Sequence, residues 1–186
     1  MTMRLVGLDF ETANPRPGSI CAAGCAVLEE GVVVEKNEWL IRPHPRLDHV
    51  HGACFAVHGI SWYDLRESPE FPAVWPVIRR MLASGDAAVM HNASFDPGHL
   101  RKVLTLYKLP AVHFDYVCSL QVSRRLLPEL ESHSLDAVAA HLGHEFRHHD
   151  ALEDAIACAT IIHKLGIPEN FIRQFDFQPG AEYINK

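Results

Sequence analysis

Two acidic side chains with one residue between them, Asp9 and Glu11, follow an apolar segment near the start of the chain. If Arg4 to Phe10 forms a β-strand, side chains at positions i and i+2 project from the same face, so the two carboxylates lie together. Paired carboxylates repel each other unless a cation lies between them, and oxygen ligands suit Mg²⁺ or Mn²⁺. The pair predicts a divalent-metal site, although the same triplet also occurs at ordinary solvated strand ends.

A second polar segment, His91 to Asp96, follows a short apolar run and precedes a helical pattern. Asp96 would lie near the start of that helix, where polar groups and backbone N–H donors collect. Helix capping by Asn92, Ser94 or Asp96 would explain the segment equally well on its own. The segment is therefore a candidate site only in combination with the others.

The third segment begins at His149 and opens the longest helical pattern, which runs to Leu165. Residues five apart on a regular helix lie about 140° from each other, so His149 and Asp154 converge only if His149 precedes the helix. Asp150 as the N-cap would place His149 just outside it. The alternative is a polar helix start whose acidic residues favour the positive end of the helix dipole.

The segments that must position these residues have the order of an α/β fold. Three strand patterns come first, and helical patterns then alternate with short strands, which predicts a mixed sheet flanked by helices. The predicted strands are Arg4–Phe10, Ser19–Leu28, Val32–Ile41, Ala87–Met90 and Phe114–Cys118. The predicted helices are Phe71–Leu82, Pro97–Tyr107, a segment to Leu142 capped by Ser134, and Asp150–Leu165. The first three strands form an antiparallel meander with a hairpin turn at Glu29–Gly31.

Two other segments are predicted to be irregular. Residues 43–58 form a long polar loop rich in Pro and His, and Phe171 to Lys186 has little periodicity. We therefore expect one domain at residues 1–168 and a loose C-terminal tail at residues 169–186. His49, His51, Cys54 and His58 could be taken for a zinc cluster, but their spacing matches no standard finger. A loop that lines a substrate groove is the favoured interpretation.

Composition limits the possible functions. The chain has 186 residues, 48% of them apolar, and contains no apolar run long enough for a membrane-spanning helix. The start of the chain does not resemble a signal peptide, and five scattered cysteines are expected to be reduced thiols, which favours a cytoplasmic protein. The formal charge of −6 argues against broad nucleic-acid coating. It does not exclude an enzyme that binds only the end of a strand.

Taken in order, the three segments resemble the three motifs of the DEDDh family of 3′→5′ exonucleases, whose members include the proofreading ε subunit of bacterial DNA polymerase III. The resemblance covers roughly residues 4–165, and His58-Gly59-Ile60 resembles another family segment. It implies a ribonuclease-H-like fold and His149 as general base. It also implies two divalent cations, Mg²⁺ or Mn²⁺, held by Asp9, Glu11, Asp96 and Asp154. The tyrosine variant of the superfamily has Tyr four residues before the last aspartate, and Asp150 occupies that position here.

The resemblance also implies substrate contacts, by Thr12 at the terminal 3′ hydroxyl, by Ile60 and Phe95 on terminal bases, and by Asn92 at a phosphate. A DNA 3′ end is the favoured substrate, in proofreading or repair. RNA trimming and a catalytically inactive nucleic-acid-binding scaffold are the alternatives. A polymerase or a sliding clamp is a candidate partner, since Gln174–Phe177 loosely resembles a clamp-docking peptide. The same segment could equally pack on its own domain.

Overall fold

A computed structural model describes residues 3–180 and contains, within them, a six-stranded mixed sheet with helices on both faces. The strands are β1 (Arg4–Thr12), β2 (Ile20–Glu29), β3 (Val32–Leu40), β4 (Ala87–Met90), β5 (Val112–Cys118) and β6 (Arg173–Phe177). Their order across the sheet is β3-β2-β1-β4-β5-β6. β1, β4 and β5 are parallel neighbours, whereas β2, β3 and β6 join by antiparallel pairing. The predicted mixed sheet and its antiparallel meander are confirmed.

The helices cover both faces of this sheet. They are α1 (Gly52–His58), α2 (Trp62–Leu65), α3 (Phe71–Ser84), α4 (Asp96–Leu106), α5 (Ser119–Leu126), α6 (Leu135–His141) and α7 (Ala151–Leu165). One apolar core joins α3 and α4 to the sheet, and a second joins α5, α6 and α7 to its other face. Side chains alternate between these cores along β1, since Val6 and Leu8 lie in the first and Leu5 in the second.

The hairpin between β2 and β3 is a two-residue turn at Glu30 and Gly31. Both residues have positive φ angles, 52° and 79°. A type I′ turn needs positive φ at its two central residues, and this turn matches the right-handed twist of the paired strands. The predicted turn is therefore confirmed, with its bend at these two residues.

Two predictions about irregular segments are wrong. The polar loop predicted at residues 43–58 contains α1. The sequence pattern did not predict this short helix, because none of its seven residues is buried. The residues predicted as a loose tail contain β6, which pairs with β5 at the edge of the sheet. Phe175 and Phe177 of β6 are buried, and the Phe175 ring stacks on Phe114 with 4.8 Å between the ring centroids.

The packing of β6 matches the expectation that this segment packs on its own domain rather than serving as an exposed clamp-docking peptide. Residues 181–186 of the predicted tail lie outside the described residues. The domain boundary expected at residue 168 stays a prediction. Between residues 3 and 180, none of the helices has both the length and the apolar character needed to cross a membrane.

Candidate active site

The parallel neighbours β1 and β4 end at the same edge of the sheet, and the acidic residues of the sequence motifs converge there. Asp9 and Glu11 lie near the end of β1, and Asp96 begins α4 shortly after β4. Asp154 lies in the first turn of α7. Oxygen atoms of Asp9, Glu11 and Asp154 all lie within 4.8 Å of one another, a spacing compatible with a shared cation.

Asp96 lies close enough to this cluster to raise the pKa of Asp9. Its carboxylate Oδ1 accepts a hydrogen bond from the Phe10 backbone N–H at 3.2 Å, and the residue is only 1% exposed. This bond fixes the start of α4 against the strand that carries Asp9 and Glu11. The prediction that Asp96 lies near a helix start is confirmed.

Two glycines allow α7 to approach the sheet closely enough to bring Asp154 to the cluster. A Cβ atom on Gly24 would lie 2.0 Å from the Ala151 carbonyl oxygen, and one on Gly7 would lie 1.9 Å from the Ala155 carbonyl oxygen. Gly24 is also the antiparallel partner of Asp9. The first turn of α7 therefore lies directly over the strand pair that bears the acidic residues.

Adding one methyl group at this contact should disturb the site. We expect Gly24→Ala to lower the free energy of unfolding by about 1–3 kcal/mol, because overpacking forces the backbone apart. The first turn of α7 would move away from β1, and affinity for Mn²⁺ should fall with it. Gly52→Ala is the matched control, since a Cβ there has no neighbour within 4 Å. Equal stability and Mn²⁺ affinity in the two variants, by chemical denaturation and calorimetry, would contradict this packing account.

The loop before α7 presents two histidines to Asp154. The His149 backbone N–H donates to Asp154 Oδ2 at 3.2 Å, and His148 Nδ1 donates to Asp154 Oδ1 at 2.9 Å. The two imidazole rings stack on each other with 3.9 Å between centroids. His149 is exposed and adopts a positive φ of 65°, just before the N-cap Asp150. The predicted position of His149 outside the helix is confirmed.

His148 is a residue that sequence reasoning missed. Its ring, with His149 and Asp154, forms a second group of possible metal ligands whose atoms lie within 4.8 Å of one another. The adjacent pair His148-His149 was the available signal, but the motif spacing directed attention to His149 alone. The structure gives His148 the direct side-chain contact with Asp154 and leaves the ring of His149 exposed at the cavity.

Mutual repulsion and burial hold protons on this cluster. The pKa of Asp9 is raised well above its ordinary value by burial and then by Asp96, Asp154 and Glu11. Burial, and then Asp154, Asp96 and Asp150, raise the pKa of Glu11 to about 8, and burial raises the pKa of Asp96 to about 7. The pKa of Asp154 is also raised by burial, although its bond with His148 opposes the shift. A set of close, partly desolvated carboxylates of this kind fits divalent cations, which would replace the protons.

The raised pKa values predict how metal and pH affect stability. A carboxyl group whose pKa rises on folding binds its proton more tightly in the folded protein. The free energy of unfolding of the metal-free protein should therefore decrease as pH rises from about 5 to about 8. Mg²⁺ or Mn²⁺ should raise the melting temperature clearly at pH 8 and little at pH 5.

Glu11→Gln is the control for this pH effect, because it removes one of the shifted groups. Its melting temperature without metal should depend less on pH than that of the wild type. Melting curves of both proteins, with and without metal, give the comparison. The electrostatic account is wrong if the metal stabilises both proteins equally at the two pH values.

A cavity of about 770 Å³ opens over the acidic cluster. Asn92, Phe95 and His149 line it together with all four acidic residues, whereas Thr12 and Ile60 are not among the residues that line it. Asn92 has a positive φ of 60°, and its side chain accepts a hydrogen bond from Ser94 Oγ at 2.9 Å. Phe95 is 40% exposed.

Hydrogen bonds to the His58 ring connect Thr12 and Ile60. His58 Nε2 donates to the Thr12 carbonyl at 3.2 Å, and its Nδ1 accepts from the Ile60 backbone N–H at 3.0 Å. Burial lowers the pKa of His58, which favours the neutral ring that can both donate and accept. The role of Thr12 and Ile60 in substrate contact stays a prediction. Within residues 3–180, the structure does not bring His49, His51, Cys54 and His58 together as a metal-binding group.

His91, which the sequence analysis included only as part of the second motif, holds one wall of the cavity in place. His91 Nε2 donates to the His133 carbonyl at 3.0 Å, and its Nδ1 accepts from Ser119 Oγ at 2.9 Å. Burial lowers the pKa of His91 to about 4, so the ring is neutral near pH 7 and can make both bonds. The segment around His133, with Arg124 of α5, thereby becomes a wall of the site.

Comparison with known proteins agrees with this geometry. The family model described as "Exonuclease" (RNase_T) matches residues 6–162. The chain belongs to the RNase_T exonuclease family. Its resemblance to DEDDh exonucleases and to the proofreading exonuclease of DNA polymerase III is confirmed. Metal dependence is typical of this family.

Relatives of this RNase_T domain include far longer proteins. The PolC-type DNA polymerase III of Thermotoga petrophila is 31% identical over 161 residues, which cover 84% of this chain and 11% of that protein. The same polymerase of Oceanobacillus iheyensis is 30% identical over 139 residues, 74% of this chain and 10% of that one. The chain therefore spans about a tenth of the length of these curated relatives.

Solved structures of similar size share the RNase_T domain's fold. Exonuclease X in complex with 5′ overhanging duplex DNA superposes with a TM-score of 0.68 and 25% identity, covering 87% of this chain and 90% of that one. The nuclease domain of 3′hExo, a DEDDh family member bound to rAMP, gives a TM-score of 0.72 at 15% identity over 88% and 91% of the two chains. The predicted ribonuclease-H-like fold is confirmed.

Proposed function

We propose that this chain is a metal-dependent 3′→5′ exonuclease that removes nucleotides from the 3′ ends of DNA. The observation that carries the proposal is the convergence of Asp9, Glu11 and Asp154 within 4.8 Å beside buried Asp96, in a chain of an exonuclease family. A scaffold without catalysis has no need for four close carboxylates, since their mutual repulsion destabilises the fold unless cations bind.

The carboxylates Asp9, Glu11, Asp96 and Asp154 would hold two divalent cations, Mg²⁺ or Mn²⁺. When bound there, such cations would supply Lewis-acid stabilisation of the attacking and leaving oxygens of a phosphodiester. Phe10 contributes through its backbone, because its N–H donates to one Asp96 oxygen and holds that carboxylate against β1. The protein thus sets the ligand geometry before substrate arrives.

His149 is the proposed general base. Its ring lies exposed at the cavity, while its backbone N–H anchors the loop to Asp154. A neutral imidazole ring nitrogen can accept a proton from an attacking water. His148 serves a different purpose, because its Nδ1 is already engaged with Asp154 and orients that carboxylate.

The residues proposed to contact substrate form two groups, one that lines the cavity and one connected through His58. Phe95, exposed at the cavity, offers a ring on which a terminal base can stack, and Asn92 lies beside it. Thr12 and Ile60, joined through His58, would contact the terminal sugar and base. Stacking is tolerant of base identity, which suits an enzyme that degrades any 3′ end.

DNA is the proposed substrate because the curated relatives are DNA polymerases and the structure of Exonuclease X contains duplex DNA. The proposed setting is proofreading or repair, with a polymerase as the candidate partner. A sliding clamp as partner and a cytoplasmic location stay predictions from the sequence. RNA trimming is the alternative outcome of the test that follows.

The test uses DNA and RNA oligonucleotides, single- and double-stranded, labelled at either end. With Mg²⁺ or Mn²⁺, 5′-labelled DNA should shorten one nucleotide at a time, and 3′-labelled DNA should release a labelled mononucleotide at once. A chelator should stop both reactions, and Asp154→Asn protein purified in the same way controls for contaminating nucleases. Cleavage that resists the chelator, or none on any substrate, would overturn the proposal, and faster cleavage of RNA would replace DNA as the substrate.

A further inference from the structure

A second groove runs along α4 and leads away from the acidic cavity. Its volume is about 1170 Å³, and its walls are α4 on one side and the end of β6 with the segment that follows it on the other. Phe95 lines both this groove and the acidic cavity, so the two are continuous at that ring. We call it the α4 groove and define it by Ser94, Phe95, Lys102, Thr105, Lys108 and Gln178.

The charge of the α4 groove is opposite to that of the acidic cavity. Arg101, Lys102 and Lys108 line the groove with Asp176 as its single carboxylate among the described residues. The acidic cavity has five carboxylates and one permanently charged cation, Arg124. Such segregation is notable in a chain whose formal charge is −6. It marks the groove as a place where an anion is favoured.

The cations of the α4 groove are held in different ways. Arg101 is fixed to the wall, because its guanidinium donates to the Asp176 carbonyl and lies 4.6 Å from the centroid of the Phe175 ring. Lys102 packs its aliphatic stem over Gly18, where a Cβ would lie 2.9 Å from Lys102 Cγ. Within residues 3–180 neither Lys102 nor Lys108 forms an ion pair, and both residues are exposed. Their ammonium groups are therefore available to a ligand.

The loop beneath Lys102 is itself attached to α4. The Gly18 backbone N–H donates to His99 Nδ1 at 3.2 Å, and His99 is buried beneath the Phe95 ring, with 4.3 Å between the ring centroids. Burial lowers the pKa of His99, which keeps its Nδ1 free to accept this bond. The groove wall is thus rigidly connected to the aromatic ring at the entrance of the acidic cavity.

We propose that the α4 groove binds the nucleic-acid strand on the 5′ side of the terminal nucleotides, with Lys102 and Lys108 contacting its phosphates. The inference rests on the proposed function, since an enzyme that holds a 3′ end must let the rest of the strand leave its cavity. Lys102 lies seven residues after Phe95, about 10 Å along the helix axis. At about 3.4 Å per nucleotide, the rise of a strand stacked as in duplex DNA, this reaches the phosphate roughly three nucleotides from the cavity, and Lys108 reaches farther.

The test compares a substrate that fills only the cavity with one that reaches the groove. The probes are the p-nitrophenyl ester of thymidine 5′-monophosphate, hydrolysed with Mn²⁺, and a single-stranded DNA about 12 nucleotides long. In Lys102→Gln/Lys108→Gln protein, the ratio of kcat/KM for the DNA to that for the ester should fall roughly tenfold. The slope of log affinity against log salt should decrease by about 1.4, or 0.7 per lost phosphate contact on a single strand.

Lys36→Gln/Arg79→Gln protein is the matched control, because it loses the same charge from β3 and α3, outside both cavities. The proposal is wrong if the Lys102→Gln/Lys108→Gln protein has the same kcat/KM ratio and the same salt slope as the wild type. The groove would then be a site for a protein partner. If the wild type hydrolyses neither probe, the proposed function fails. If the wild type hydrolyses the ester but DNA binding does not depend on the two lysines, only the groove proposal fails and the proposed function stands.

Discussion

Replacing His149 with alanine should lower kcat by about 100- to 10,000-fold, the usual contribution of a positioned general base. Affinity for Mn²⁺ should stay near that of the wild type, because the contact of this residue with Asp154 is made by its backbone N–H. Added imidazole should restore part of the lost activity. Single-turnover rates on 5′-labelled DNA, with Mn²⁺ titrated by calorimetry, measure both quantities.

His148→Ala is the matched control for this prediction, since the two rings stack on each other and both approach Asp154. Loss of the Nδ1 bond at 2.9 Å frees one Asp154 oxygen. The metal concentration for half-maximal activity should therefore change more than kcat does. If His148→Ala loses more activity than His149→Ala and is the one rescued by imidazole, the proton acceptor is His148.

Asp9→Asn should abolish turnover and stabilise the metal-free protein at the same time. Cations in such sites contribute several kcal/mol to transition-state stabilisation, so losing them should lower kcat by roughly 1000-fold or more. Without metal, burial opposes the charge of Asp9 most strongly, followed by Asp96, Asp154 and Glu11, and all of them raise its pKa. Removing that charge should therefore raise the melting temperature at pH 8 in the presence of a chelator.

Opposite effects on activity and stability separate a metal ligand from a structural carboxylate. Asp48→Asn, at an exposed position, should leave both quantities unchanged. Melting curves in chelator and exonuclease rates in Mn²⁺ make the comparison. An Asp9→Asn protein that melts earlier than the wild type in chelator and keeps its activity would show that the carboxylate supports the fold and not catalysis.

The elements predicted correctly from sequence are those with strong patterns or strong end signals. β4 has the predicted bounds, and α7 follows its predicted N-cap, Asp150. α1 and β6 were missed because their local patterns are weak and tertiary contacts decide them. Phe175 of β6, for example, is held by stacking on Phe114, a residue far from it in the chain.

The candidate site was likewise predicted only in part, because local patterns locate some of its residues and tertiary contacts position the others. Order and spacing of the motifs identified Asp9, Asp154 and His149, whose elements have clear patterns. The close approach of α7 to Gly24 could not be foreseen, because a glycine in a strand does not reveal which backbone will pack against it. The bond of His148 to Asp154 depends on the path of a loop, which local propensity does not determine.

The most direct test of a metal site at this acidic cluster is anomalous scattering from crystals soaked with Mn²⁺ and a nucleoside 5′-monophosphate. The proposed function predicts two manganese peaks, roughly 3.5–4 Å apart, bound by Asp9, Glu11, Asp96 and Asp154. A map with no peak at these carboxylates, or with a single peak held by His148 and His149 away from Asp9, would contradict it.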